Sequence, residues 1–195
     1  QLDLIKDQNQ APKKKIPRGF EYFINQLSLC SPMNISRDFK NRTAAQTLSP
    51  SQRGHLNSRA RSETLCDDLI GKIWSNIRAI FVLTVVVDRS ENGQILCLEY
   101  GLLNKLSPFF DNDWLVHINE YLAGDTSLAL TFHIQFKQRL NLAVSRLKRW
   151  ICFCLSRLFE GCAKARKVGF ESDIYQHLLS LLQLKESKSP EVTKT

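Results

Sequence analysis

The chain lacks any run of the roughly 18 to 20 consecutive apolar residues that a helix needs to cross a bilayer. Its longest apolar run, Ile80 to Val87, has the length of a strand, so no transmembrane segment is expected. No basic-then-apolar leader is visible at the start. The chain opens on Gln1 rather than Met, so a removed leader would leave no trace. There is no glycine-rich phosphate loop, no Gly-x-Ser-x-Gly and no His-Glu-x-x-His, the spacings that mark the best-defined enzyme classes. Neither catalysis nor a cofactor is therefore expected. Acid is nearly missing from one stretch: residues 137–170 hold nine basic groups and one acidic group, Glu160.

The 195 residues carry a net charge of +8 and are 43% apolar, enough for a packed core. Such a balance favours polyanionic partners. Charge is distributed in blocks. Residues 1–62 hold 11 basic and 4 acidic groups, and residues 63–136 hold 4 and 10. This alternation suggests basic segments working around, or folding back on, an acidic centre. Six cysteines without dense spacing read as reduced thiols, which places the protein inside a cell. Four of them lie within apolar patterns, where free cysteine behaves as a small hydrophobe.

Residues 1–62 are polar and basic apart from one apolar island, Phe20 to Leu29, which can dock as a helix. The stretch buries too little apolar surface to offset its ordering entropy. It is expected to be a flexible, disordered arm carrying the cluster Lys13, Lys14 and Lys15. A core domain is expected over 63–185, with a polar tail over 186–195. Within the core, Leu65, Leu69, Ile70, Ile73, Trp74 and Ile77 recur at helical spacing behind a Ser62 cap. Ile80 to Asp88 is β-branched and predicts a buried strand. Asn92-Gly93 is a tight-turn signal, and Gln94 to Tyr100 completes a hairpin. Asp111 to Leu122 predicts a short helix. Ser127 to Phe136 alternates like a third strand. A long helix and a final helix over 171–184 follow. The expected fold is α+β: a small, mostly antiparallel three-stranded sheet covered by helices.

The long helix, Gln138 to Lys167, is the most informative segment. Leu140, Ala143, Val144, Leu147, Ile151, Cys154, Leu155, Leu158, Cys162 and Ala165 fall within roughly 120° on a helical wheel. Arg139, Arg146, Arg149, Arg157, Lys164 and Lys167 fall within roughly 80° on the other side, with Trp150 and Phe153 beside them. A row of cations is what a helix needs to track phosphates, and aromatics beside it can stack on bases. The bland alternative is a solvated helix face.

The expectation is a non-enzymatic polyanion-binding protein, with nucleic acid first among its partners. A second reading is a peripheral membrane or assembly protein of matrix type, binding acidic lipid headgroups. A third is a protein–protein module that meets an acidic protein or another copy of itself as a homo-oligomer. Metal binding is not expected, because Cys152 and Cys154 point about 160° apart on one helix. Asp88 and Glu99 on the two hairpin strands would resemble the acids of a metal-dependent nuclease, but Glu99 is followed by Tyr100-Gly101 rather than x-Lys. A nuclease is accordingly the least supported reading.

Overall fold

A computed structural model describes residues 18–47, 55–124 and 130–186. Among them there is no strand. Nine α-helices follow in order: α1 Arg18–Leu29, α2 Pro32–Thr47, α3 His55–Val87, α4 Glu91–Glu99, α5 Leu102–Leu106, α6 Asp113–Gly124, α7 Leu130–Phe159, α8 Ala163–Phe170 and α9 Asp173–Glu186. A short 3-10 turn, Ser107–Phe109, precedes α6. The fold is all-α, and the expected three-stranded α+β architecture is wrong.

Each predicted strand fails for its own reason. The β-branched run Ile80 to Val87 is the last part of the 33-residue helix α3. Ile73, Ile77, Ile80, Leu83, Thr84 and Val87 form one buried stripe, while Phe81 and Val85 face out. Helical periodicity carried through from the preceding turns, and burial of that stripe outweighed a β-propensity worth only about 1 kcal/mol. Asn92-Gly93 makes no hairpin. It starts α4, where the Ser90 hydroxyl caps the helix by accepting from the Gly93 amide at 3.1 Å. Gly93 is required by close approach, since a β-carbon there would overlap the Val86 carbonyl oxygen. The expected third strand falls partly outside the described residues. From Leu130 onward it is α7, with Leu130 and Ile134 exposed and Phe136 buried.

Residues 18–47 of the expected disordered arm are helical and contribute to the core. Phe20, Ile24, Leu27 and Ile35 are all buried. Helix α3 begins at His55, ahead of the expected Ser62 cap. It is the central element: α1, α4 and α7 pack on it, while α2 packs on α6.

Helices α3 and α7 lie parallel and in register. Their cross-contacts rise together along both: Asp67 with Arg139, Trp74 with Arg146, Phe81 with Trp150, and Asp88 with Arg157. On α3 these residues recur every seven positions, as flanking residues do beside a coiled-coil seam. All ten residues of the predicted apolar arc of the long helix are buried.

Two buried amides tie helix ends together. Asn76 donates to the Cys30 carbonyl just past α1 at 2.7 Å. Gln94 on α4 donates to the Arg157 and Glu160 carbonyls at the end of α7, at 2.9 and 2.8 Å. The last carbonyls of a helix have no partner within it, and these side chains supply one from elsewhere in the chain.

The predicted single long helix is two helices. Gly161, at φ 75°, ends α7 in the left-handed conformation that favours glycine. Cys162 then caps α8, its sulfur accepting from the Ala165 amide at 3.4 Å. Gly169 lies inside α8 against the ring of Phe159.

Candidate anion-binding surface

The six cations of the predicted stripe do not form one free row. Arg139 is ion-paired to Asp67 at 3.0 Å. The guanidinium of Arg146 lies over the Trp74 ring, 5.4 Å from its centroid. Arg157 reaches Asp88 at 3.6 Å and Glu160 at 2.7 Å, and also covers the Phe153 ring at 5.1 Å. These three line the seam with α3, and acids or rings of the same chain engage them. Arg149 is exposed and has no ion-pair partner among the described residues. Lys164 and Lys167 are exposed as well, but they belong to α8, beyond the turn at Gly161.

The aromatic residues expected beside the stripe pack on one another. Trp150 is edge-on to Phe81, with centroids 5.2 Å apart, and edge-on to Phe153 at 5.8 Å. Trp150 is half-buried, and one face of Phe153 carries Arg157. This is a stitched helix seam more than an open stacking platform for bases.

Helix α8 offers a different surface. It carries Lys164, Arg166 and Lys167 and no acid, and it buries only Ala165 and Gly169. Arg166 donates to the Phe159 carbonyl at 3.1 Å and stays exposed. Val168 and Phe170 also face outward, Phe170 with 67% of its surface accessible. Tyr175 from α9 lies against Phe170, ring centroids 4.8 Å apart. Gly169 fixes this helix to the bundle, because a β-carbon there would sit 2.6 Å from the Phe159 ring. The result is a helix presenting three cations and two exposed apolar side chains.

Sequence reasoning named Lys164 and Lys167 but missed Arg166, Val168 and Phe170. The available signal was local: in Lys164-Ala-Arg-Lys-Val-Gly-Phe170 the apolar residues are too few for a buried face. Lys13, Lys14 and Lys15 lie outside the described residues.

None of the six cysteines forms a disulfide. Five are buried and Cys152 is half-exposed. Among the described residues no group of three His, Cys, Asp or Glu side chains could hold a metal ion. Without the hairpin, nothing brings Asp88 and Glu99 together, and Asp88 instead pairs with Arg157. The nuclease geometry is therefore gone. The segment Glu63–Val87 is long and apolar enough to cross a membrane. Its Leu65, Leu69, Ile73, Ile80 and Leu83 are buried in the core, while Phe81 and Val85 are exposed. Comparison with protein-family models, curated proteins and solved structures finds no match.

Proposed function

We propose that the protein is a non-enzymatic module that docks on acidic membrane surfaces through α8. One observation carries this reading: Lys164, Arg166 and Lys167 share a short helix with exposed Val168 and Phe170, and no acid lies among them. Cations near an anionic leaflet contribute about 1 kcal/mol each. Exposed apolar side chains beside them add burial at the headgroup boundary. Nucleic acid, the first expectation from sequence, fits less well. Its extended phosphate row calls for the α7 stripe, and Arg139 and Arg157 there are already ion-paired.

Flotation with vesicles tests the proposal. The protein should float with phosphatidylserine-containing vesicles and not with phosphatidylcholine alone. Replacing Lys164, Arg166 and Lys167 by Gln should abolish flotation, and Phe170→Ser should weaken it, with the helical circular dichroism retained. Binding to duplex DNA or RNA that is lost with Arg146→Gln and Arg149→Gln, without vesicle binding, would overturn it in favour of nucleic acid.

A further inference from the structure

Helix α9 packs on α8 and on the 3-10 turn before α6. Its first turns are held by buried Ile174 and by His177, which stacks on Phe110 with centroids 5.8 Å apart and planes 16° from parallel. The space left between α7 and α9 is an open cavity of about 840 Å³. That lies within the range of small-molecule sites, about 300 to 1,000 Å³.

The lining is divided by chemistry. Val144 from α7 and Leu178 and Leu181 from α9 make an apolar wall. Lys148 and Arg149 contribute the charge, and among the described residues no acid lines the space. The Lys148 ammonium is partly buried and held by the Asn112 side-chain oxygen at 2.8 Å. Its desolvation pulls the Lys148 pKa down, with Asp111 opposing. An anion nearby would relieve that cost. Arg149 has no carboxylate on it among the described residues. Cys152, one turn beyond Lys148, lines the same space.

The geometry points to a binding site for a long-chain fatty-acid carboxylate, its headgroup on Arg149 and Lys148 and its alkyl chain along Val144, Leu178 and Leu181. The site is separate from the α8 surface, and its cations and apolar wall match the two halves of such a molecule. A charge-assisted hydrogen bond contributes more than a neutral one, so the carboxylate decides the affinity and the chain supplies the area.

Laurate, held below its micellar concentration, is the probe, with dodecyltrimethylammonium as the charge-reversed control. Binding is read by calorimetry on the full chain and by the rate at which native Cys152 reacts with a disulfide reagent, the other five thiols being buried. Laurate should bind and slow the Cys152 reaction, and the ammonium amphiphile should do neither. Arg149→Gln should weaken laurate by about tenfold or more, and Leu181→Gln should weaken it comparably, both with unchanged helicity. Equal binding of the two amphiphiles, or laurate binding that leaves the Cys152 rate and the Arg149→Gln affinity untouched, would overturn the proposal. The Lys164, Arg166 and Lys167 substitutions should leave laurate binding intact, which separates this site from vesicle docking.

Discussion

Replacing Gln94 should cost more than its position on a nine-residue helix suggests. Its side chain is 3% exposed, and its single amide group serves two carbonyls, those of Arg157 and Glu160. Both belong to the end of α7, where no helical amide remains to pair them. Gln94→Met keeps nearly the same volume and removes both donors. A buried carbonyl left unpaired costs about 1 to 3 kcal/mol. These two are only partly enclosed, so the lower half of that range applies and the pair comes to about 2 to 4 kcal/mol. For a chain of this size each kcal/mol moves the midpoint by about 2 to 4 °C, so the melting temperature should fall by about 4 to 16 °C. Gln94→Ala should lose about a further 1 kcal/mol through the space it leaves.

The measurement is urea unfolding followed by helical circular dichroism, with the denaturant slope compared between variants. Amide exchange adds a local readout. Cys162 caps α8 immediately after the turn that Gln94 holds, so the amides of α8 should exchange faster in Gln94→Met than in the parent. A Met variant within about 0.5 kcal/mol of the parent, at equal slope, would refute the capping argument. It would mean that water replaces the amide at no cost.

Three further outcomes follow from the fold. Leu83→Ala should cost about 2 to 5 kcal/mol and Val85→Ala less than about 0.5 kcal/mol. Residues 83 and 85 share a face in a strand and oppose each other in a helix, so similar costs in urea melts would restore the strand. Gly93→Ala should destabilise by about 3 kcal/mol or more, because its methyl group has only the Val86 backbone to displace; a midpoint unchanged in thermal melts would contradict the close approach of α4 to α3. Burial pushes the Cys97 thiol up to about 12 and the Cys154 thiol up to about 11, from an ordinary 9.0. The folded chain therefore keeps protons that the unfolded chain releases, so this stability is whole below pH 9 and declines as pH rises toward 11. The decline is at most about 1.4 kcal/mol per pH unit for each thiol, and urea melts across pH 8 to 11 should show a shallower slope for Cys154→Ala.

The sequence pattern was most reliable where one helix face met one core. The ten-residue apolar arc from Leu140 to Ala165 is buried in full, because helical periodicity and burial report the same thing. It failed where a short segment was read by its own propensity. Ile80 to Val87 is strand-like in composition, yet Ile80, Leu83 and Val87 continue the register of Ile73 and Ile77. Asn92-Gly93 matches a hairpin turn equally well as a capped helix start pressed against a neighbouring backbone. The cationic stripe misled for a different reason. A wheel drawn on α7 alone cannot see Asp67 on α3 or Asp88 just past its end. The seven-residue spacing of Asp67, Trp74, Phe81 and Asp88 was visible, but only a known partner helix gives that spacing meaning.

The alternating charge blocks thus resolve within the molecule: part of the acidic centre is spent on the basic helix that follows it. These ion pairs are exposed and contribute at most about 1 kcal/mol each, so they cannot be what holds α3 to α7. Nor do they choose the direction of the pair. Acids stand at both ends of the α3 ladder and arginines at both ends of the α7 row, so an antiparallel arrangement would pair its ends nearly as well. Direction must come from a contact that only one arrangement permits. Gln94 is such a contact. Helix α4 leaves the C-terminal end of α3 through a turn at Arg89, a non-glycine residue at φ 52°. It can reach the open carbonyls of α7 only if both long helices finish at the same end of the bundle. That end is also where α8 begins, so the Gln94 contact lies beside the helix that carries Lys164, Arg166 and Lys167.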